Sequence, residues 1–148
     1  MIAHNKPTLG KQEKLAVSKV IDSGYVAQGE EVERFENELC NFLGLPEHHA
    51  VALSSGTSAL FMALFSLDAK GKSIAMPVYV CSSLRNAVAM SNGNEVLIDN
   101  AKNSPNICLQ SLNKSDAEIA IVPHMFGIPC PIQDIKDKDV IEDCAQSF

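Results

Sequence analysis

The apolar positions of the chain change their period along its length. Between Leu9 and Asp22 the residues Leu15, Ala16, Val20 and Ile21 recur at helical spacing, and Ser23-Gly24 ends the run with a glycine suited to the left-handed position after a helix. From Glu30 the spacing of Val32, Phe35, Leu39, Phe42 and Leu43 predicts a second helix with one apolar stripe. Glu30, Glu31 and Glu33 sit near its positive end, and Gly44 and Pro46 close it. Further on, short apolar runs alternate with helix-like stretches. Strands are predicted at Ala50–Leu53, Ser73–Met76, Glu95–Ile98, Ile119–Val122 and Val140–Ile141. Helices are predicted at Ala59–Leu67 and Ser82–Met90, a weaker one at Asn106–Leu112, and at most a helical turn at Ile132–Ile135. The Asn-rich patch Asp99–Asn106 reads as a plain surface loop. Strands separated by crossovers require a largely parallel sheet covered by helices. The expected fold class is α/β, a three-layer mostly parallel sheet with flanking helices. A single domain is expected over residues 1–148, with an N-terminal helical segment, 1–49, and a sheet core, 50–148.

Composition narrows the classes of function. With 46% hydrophobic and 20% charged residues the chain is an ordinary globular one, and its net charge of −6 argues against nucleic acid as the main partner. The amino end, MIAHNKPTLG, has no apolar signal-like core, and no apolar run approaches the roughly 18 residues of a membrane span. A cytoplasmic protein without a membrane partner is expected. Cys40, Cys81, Cys108, Cys130 and Cys144 are scattered and form no C-x-x-C pair, so neither a disulfide framework nor a zinc site is indicated. His48 and His49 are expected to be solvated, and His124 to satisfy a local hydrogen bond.

In open parallel sheets ligands gather at the carboxyl ends of the strands. Three polar groups fall there: Ser55-Gly56-Thr57, Tyr79 with Cys81, and Asp143 with Gln146. Residues Val51–Leu60, VALSSGTSAL, read as a strand–turn–helix joint in which Gly56 permits a close approach. The free N–H groups and positive dipole end of the helix that follows favour an anion, and a phosphate is the natural guest. Locally the same residues also read as an ordinary capped turn, and Asp143 as a helix cap or loop carboxylate. A phosphate cradle facing a carboxylate suits a ligand with a phosphate at one end and a protonated ring nitrogen at the other.

Five motifs in register carry a resemblance. They are Gly24 to Gly29 followed by Val32-Glu33-Arg34-Phe35-Glu36, then Ser55 to Leu60, Pro77-Val78-Tyr79, Pro123 to Gly127, and Ile141 to Gln146. In this order they resemble the amino-terminal half of the DegT/DnrJ/StrS nucleotide-sugar aminotransferases, pyridoxal-phosphate (PLP) enzymes of fold type I. The resemblance implies that Gly56, Thr57 and Ser58 hold the PLP phosphate and that Asp143 pairs with the pyridinium nitrogen. Gln146 would lie against the ring or its phenolic oxygen. The family usually places an aromatic ring where Cys81 stands, and Tyr79 is the candidate substitute.

The family's Schiff-base lysine lies beyond the Glu-Asp motif, whereas the ten lysines here all lie at or before Lys138. The resemblance thus implies no catalytic residue in this chain and no aminotransferase activity by it alone. In fold type I sheets the first strand is also separated from the other four by two strands that come later. Ala50–Leu53 would need another neighbour: the fifth strand, a second copy of the chain, or none, leaving an open edge. Three readings follow. The first is an inactive amino-terminal part of a sugar aminotransferase that keeps affinity for PLP or another phosphate ligand. The second is half of a split enzyme completed by a chain that carries the lysine. The third is a non-catalytic interaction module. A homo-oligomer, a dimer or larger, is expected.

Overall fold

Glycines set the ends of the first two helices in the computed structural model, which describes residues 6–147. Helix α1, Lys11–Ser23, stops at Gly24, whose φ of 73° lets its N–H turn back to the Ile21 carbonyl. Helix α2, Glu30–Leu43, stops in the same way at Gly44, with φ 68° and an N–H directed at the carbonyls of Asn41 and Cys40. The chain divides between Ala52 and Leu53 into two compact units. In the first unit α2 buries Cys40, while Val32 and Leu39 are half-buried and Phe35 and Leu43 are exposed. Helix α1 buries none of its residues, and its Leu15, Val17 and Ile21 are exposed.

The strand expected at Ala50–Leu53 does not form. Among the described residues the sheet has four strands, and none of them includes this stretch. A strand needs a neighbour for its N–H and C=O groups, and here side chains take that place. Ala52 N–H donates to Glu36 Oε1 at 2.7 Å, and Ala52 C=O accepts from Gln28 Nε2 at 3.1 Å.

The second unit holds the sheet. After α3, Gly56–Ser66, come β1, Ser73–Pro77; α4, Ser82–Met90; β2, Asn94–Ile98; α5, Leu109–Lys114; β3, Ile119–Pro123; and β4, Asp139–Asp143. All pairings are parallel in the order β2-β1-β3-β4, with Ser73 opposite Asn94, Ile74 opposite Ile119 and Ala120 opposite Val140. Period-two alternation sorts the central strands onto two buried faces. Ile74, Met76, Ile119 and Ile121 meet Leu60 and Leu64 of α3 and Leu84, Ala87 and Val88 of α4. Ala75, Ala120 and Val122 meet Ile107, Leu112 of α5 and Cys130 on the other face. This is the expected three-layer α/β arrangement. Each fully buried Ile contributes about 1.5–3 kcal/mol relative to exposure.

The handedness of the crossovers explains the layers. From β1 the chain steps one way to β2, then returns past β1 to β3 and goes on to β4. Right-handed crossovers in opposite directions put their helices on opposite faces. So α4 packs on one face and α5 on the other, and Ile132 and Ile135, on the way to β4, join α5. The reversal occurs between β1 and β3, where carboxyl ends open a crevice.

Helix α5 starts later than the predicted Asn106. Ile107 forms an antiparallel bridge with Asn100, Cys108 N–H bonds Asp99 C=O, and Ala101 N–H bonds Asn106 C=O. Residues 106–108 are thereby committed to a ladder, and the helix begins only after it. The Asp99–Asn106 loop is also less plain than expected, because Asn106 is buried. A short 3-10 turn at Ile132–Asp134 matches the expected helical turn, and a second one at Met125–Gly127 has no sequence-based counterpart. Among the described residues no helix is long and apolar enough to cross a membrane.

Candidate functional site

Helix α3 leads into β1 through the turn at residues 67–72, where Ala69 N–H returns to Leu64 C=O. That connection leaves the N-terminus of α3 toward the carboxyl edge of the sheet. Ser55 caps it: its Oγ accepts from Ser58 N–H at 3.1 Å, lies 2.9 Å from Ser58 Oγ, and its carbonyl accepts from Ala59 N–H at 3.0 Å. The N–H groups of Gly56 and Thr57 have no acceptor among the described residues. A Cβ on Gly56 would meet nothing within 4 Å, so the approach to these donors is open. Gly56 has no left-handed φ, so backbone freedom does not require a glycine here.

Asp143 is the last residue of β4 and is half-buried. Its Oδ1 accepts from Ala145 N–H at 3.0 Å, and its carbonyl accepts from His124 N–H at 3.1 Å. Gln146 is exposed, and its Oε1 accepts from Phe126 N–H at 2.6 Å. Cys81 occupies the N-cap of α4, beyond the end of β1. Hydrogen bonds from the Ser83 hydroxyl and N–H hold its thiol below the usual value, and the charge of Asp143 opposes them weakly. Cys81 and Asp143 are thus within electrostatic reach. Tyr79 is exposed, and its N–H donates to Asn100 Oδ1 at 3.2 Å.

His124 is buried, and both ring nitrogens are occupied. Nδ1 accepts from Cys130 N–H at 2.9 Å, so Nε2 carries the proton and donates it to Glu142 Oε2 at 3.0 Å. The ligand atoms of His124, Glu142 and Cys144 all lie within 4.8 Å of one another. A cation on Nε2 would need the lone pair that the Cys130 contact denies it, and burial together with the Glu142 charge pushes the Cys144 thiol up. The group is a hydrogen-bonded strut, which agrees with the local role expected for His124.

Sequence reasoning missed Asn106. From beyond β2 its Oδ1 accepts from Met125 N–H at 2.9 Å, and its Nδ2 donates to Ile128 C=O at 2.8 Å. These bonds hold a turn in which Phe126 and Gly127 adopt φ of 56° and 76°. No spacing in the sequence links Asn106 to that turn; only the packing of α5 against the sheet brings them together.

The residues fit PLP in kind. Unsatisfied helix donors and the hydroxyls of Thr57 and Ser58 suit a phosphate, and Asp143 has a second carboxylate oxygen for a ring N–H.

The class of protein is defined by this α/β sheet with a donor-rich helix terminus and a strand-ending carboxylate at one edge. It is the fold of solved aminotransferases: that from Psychrobacter cryohalolentis superposes with a TM-score of 0.87 at 27% identity, over 96% of this chain and 38% of that one. The chain belongs to the DegT/DnrJ/EryC1/StrS aminotransferase family, whose pattern matches residues 7–148. It is 28% identical to the GDP-perosamine synthase of Vibrio cholerae over an alignment 160 positions long, which spans 100% of this chain and 43% of the relative. A Bacillus subtilis structure, NtdA with bound cofactor PMP, is 25% identical, with a TM-score of 0.83 over 91% of this chain and 33% of that one. The chain spans less than half the length of each.

Proposed function

We propose that this chain is the cofactor-holding part of a PLP-dependent sugar aminotransferase that acts on a keto-sugar carried by a nucleotide. The observation that carries the reading is the pair of unsatisfied N–H groups, Gly56 and Thr57, toward the sheet edge where Asp143 ends β4. The family membership and the PMP in the Bacillus subtilis structure support the choice of cofactor. The name of the Vibrio cholerae relative supports the choice of substrate class. When bound, PLP supplies an electron sink conjugated to the reacting carbon.

The chain's own residues divide the work of binding. The N–H groups of Gly56 and Thr57, with the hydroxyls of Thr57 and Ser58, donate to the phosphate, and the dipole of α3 favours its charge. The free oxygen of Asp143 would accept a hydrogen bond from the ring N–H, and its charge would keep the proton on the nitrogen. Gln146 has committed Oε1 to Phe126, so its Nε2 amide is the end left for the phenolic oxygen. Lys72 and Lys138 are occupied at the other edge, donating to Leu67 C=O and to the carbonyls of Ser115 and Ala117. Neither of these two lysines is free to reach the cofactor, and binding by this chain is read as noncovalent. Exposed Leu15, Val17, Ile21 and Phe35 support assembly as a homodimer.

The test is an absorbance titration of the full chain with PLP, followed by borohydride treatment and mass analysis. Saturable binding with an unchanged chain mass is expected. Thr57→Ala and Asp143→Ala each weaken binding by about 10-fold, the worth of one charge-assisted contact. Unchanged affinity in both overturns the site.

A further inference from the structure

We infer that His124 is the positioning residue of this site, a strut that holds Asp143 and Gln146 in place for the ring. The inference rests on the cofactor reading above and adds to it a residue that touches no ligand. His124 reaches the segment that ends β4 in two ways. Its backbone N–H bonds Asp143 C=O at 3.1 Å, and its Nε2–H bonds Glu142 Oε2, one residue earlier, at 3.0 Å. Its Nδ1 faces the other way and takes Cys130 N–H at 2.9 Å, closing the loop that contains Phe126. Phe126 in turn gives its N–H to Gln146 Oε1 at 2.6 Å. One imidazole therefore ties the loop after β3 to the strand end that carries Asp143 and, through Phe126, to Gln146. A ring that accepts on one nitrogen and donates on the other is required, because the two partners are a backbone N–H and a carboxylate. His124 is 7% exposed, so water does not substitute readily for either partner.

A generally destabilising change would loosen the whole sheet. Loss of a strut would loosen only the residues it holds. In His124→Gln, amide exchange followed by NMR is expected to accelerate about 10-fold at Phe126 and Ala145, the amides bound to Gln146 and Asp143, and to stay unchanged at Ile121 in β3. Glu142→Gln keeps an acceptor but not the charge and is expected to give a smaller acceleration at the same amides. Pyridoxamine 5′-phosphate labelled with 15N in the ring gives the second readout. Bound to the unaltered chain its ring nitrogen keeps its proton to higher pH than when free, and in His124→Gln that titration moves back toward the free value.

Equal acceleration at Ile121, or none at Phe126 and Ala145, overturns the strut; if His124→Gln does not fold, the same criterion applied to Glu142→Gln decides. Bound probe whose ring titration is the same in both variants as in the unaltered chain also overturns it. A probe that does not bind the unaltered chain, or binds Asp143→Ala equally well, overturns the cofactor reading and with it the positioning role, even where the amides respond.

Discussion

Ala52 gives its backbone N–H to the carboxylate of Glu36, 2.7 Å away, in a place where a neighbouring strand would ordinarily receive it. Glu36→Ala leaves that half-buried N–H without its acceptor, at an expected cost of about 1–2 kcal/mol in urea unfolding. Glu36→Gln keeps an amide oxygen within reach and is expected to cost less than half as much. Equal stability of Glu36→Ala and the unaltered chain would mean that water replaces the carboxylate.

Gly93 and Gly29 look alike in sequence and differ in what surrounds them. A Cβ on Gly93 would stand 2.3 Å from Ile74 Cδ1 and 3.3 Å from the Ala69 carbonyl. Ile74 is fully buried, so Gly93→Ala forces the core to shift, and a loss of about 1–3 kcal/mol is expected in denaturant titration. A Cβ on Gly29 would meet the Tyr25 ring at 2.4 Å, but that ring is exposed and swings aside. Gly29 is also the N-cap of α2 and has no side-chain cap, so the hydroxyl in Gly29→Ser offsets the crowding. A change within about 0.5 kcal/mol is expected there.

The cysteines are expected to react in an order that exposure alone does not set. Cys81 and Cys144 are both exposed. Ser83 holds the Cys81 thiol below its usual value, whereas burial and then the Glu142 charge push the Cys144 thiol up. The thiolate is the nucleophile, so the lower value gives faster alkylation near neutral pH. Iodoacetamide with peptide mass analysis should therefore modify Cys81 before Cys144, with Cys144 overtaking only as the pH rises. Cys108, lowered by hydrogen bonds from Ser111 but less exposed, should fall between Cys81 and the buried Cys130. Saturating PLP is expected to slow Cys81 selectively.

Arg85 on α4 grips Glu95 on β2 with two hydrogen bonds, at 2.8 and 2.6 Å. These hold the Glu95 carboxyl below its usual value. A depressed carboxyl contributes stability that is present above the unfolded value and lost as the pH falls through the folded one. Glu95→Gln is thus expected to destabilise at neutral pH in low salt, and the difference should vanish under acidic conditions. Added salt should shrink it as well, because both groups are exposed.

The short apolar runs at Ser73–Met76 and Ile119–Val122, separated by helix-like crossovers, were sufficient to read the parallel sheet, because both faces of a crossover-linked sheet must be covered. Helix ends were legible where a glycine had to turn left-handed, as at Gly24 and Gly44. The stretch at Ala50–Leu53 misled because an apolar run records only the tendency to extend, and pairing depends on a neighbour that local sequence does not contain. Helix α5 was misplaced for a related reason: Ile107 and Cys108 were claimed by Asp99 and Asn100 in a ladder invisible to helical periodicity. At the site, Ser55-Gly56-Thr57 and Asp143 were legible as residue types at strand and helix ends. His124 and Asn106 were not legible as supports, since their partners, backbone groups of other turns and for His124 also the Glu142 carboxylate, are set by the packing rather than by any spacing.

The strand order also governs how the sheet must be built. As the chain is made, β1 finds its first neighbour, β2, after a single helix, but its second, β3, only after another helix has been added. Until β3 docks, the apolar strand Ile74-Ala75-Met76 presents a full row of unpaired backbone donors and acceptors to any other extended chain nearby. The same reversal that opens a ligand crevice in the finished fold therefore places the moment of greatest aggregation hazard at its centre, and makes the closing of β3 onto β1 the step that commits the sheet.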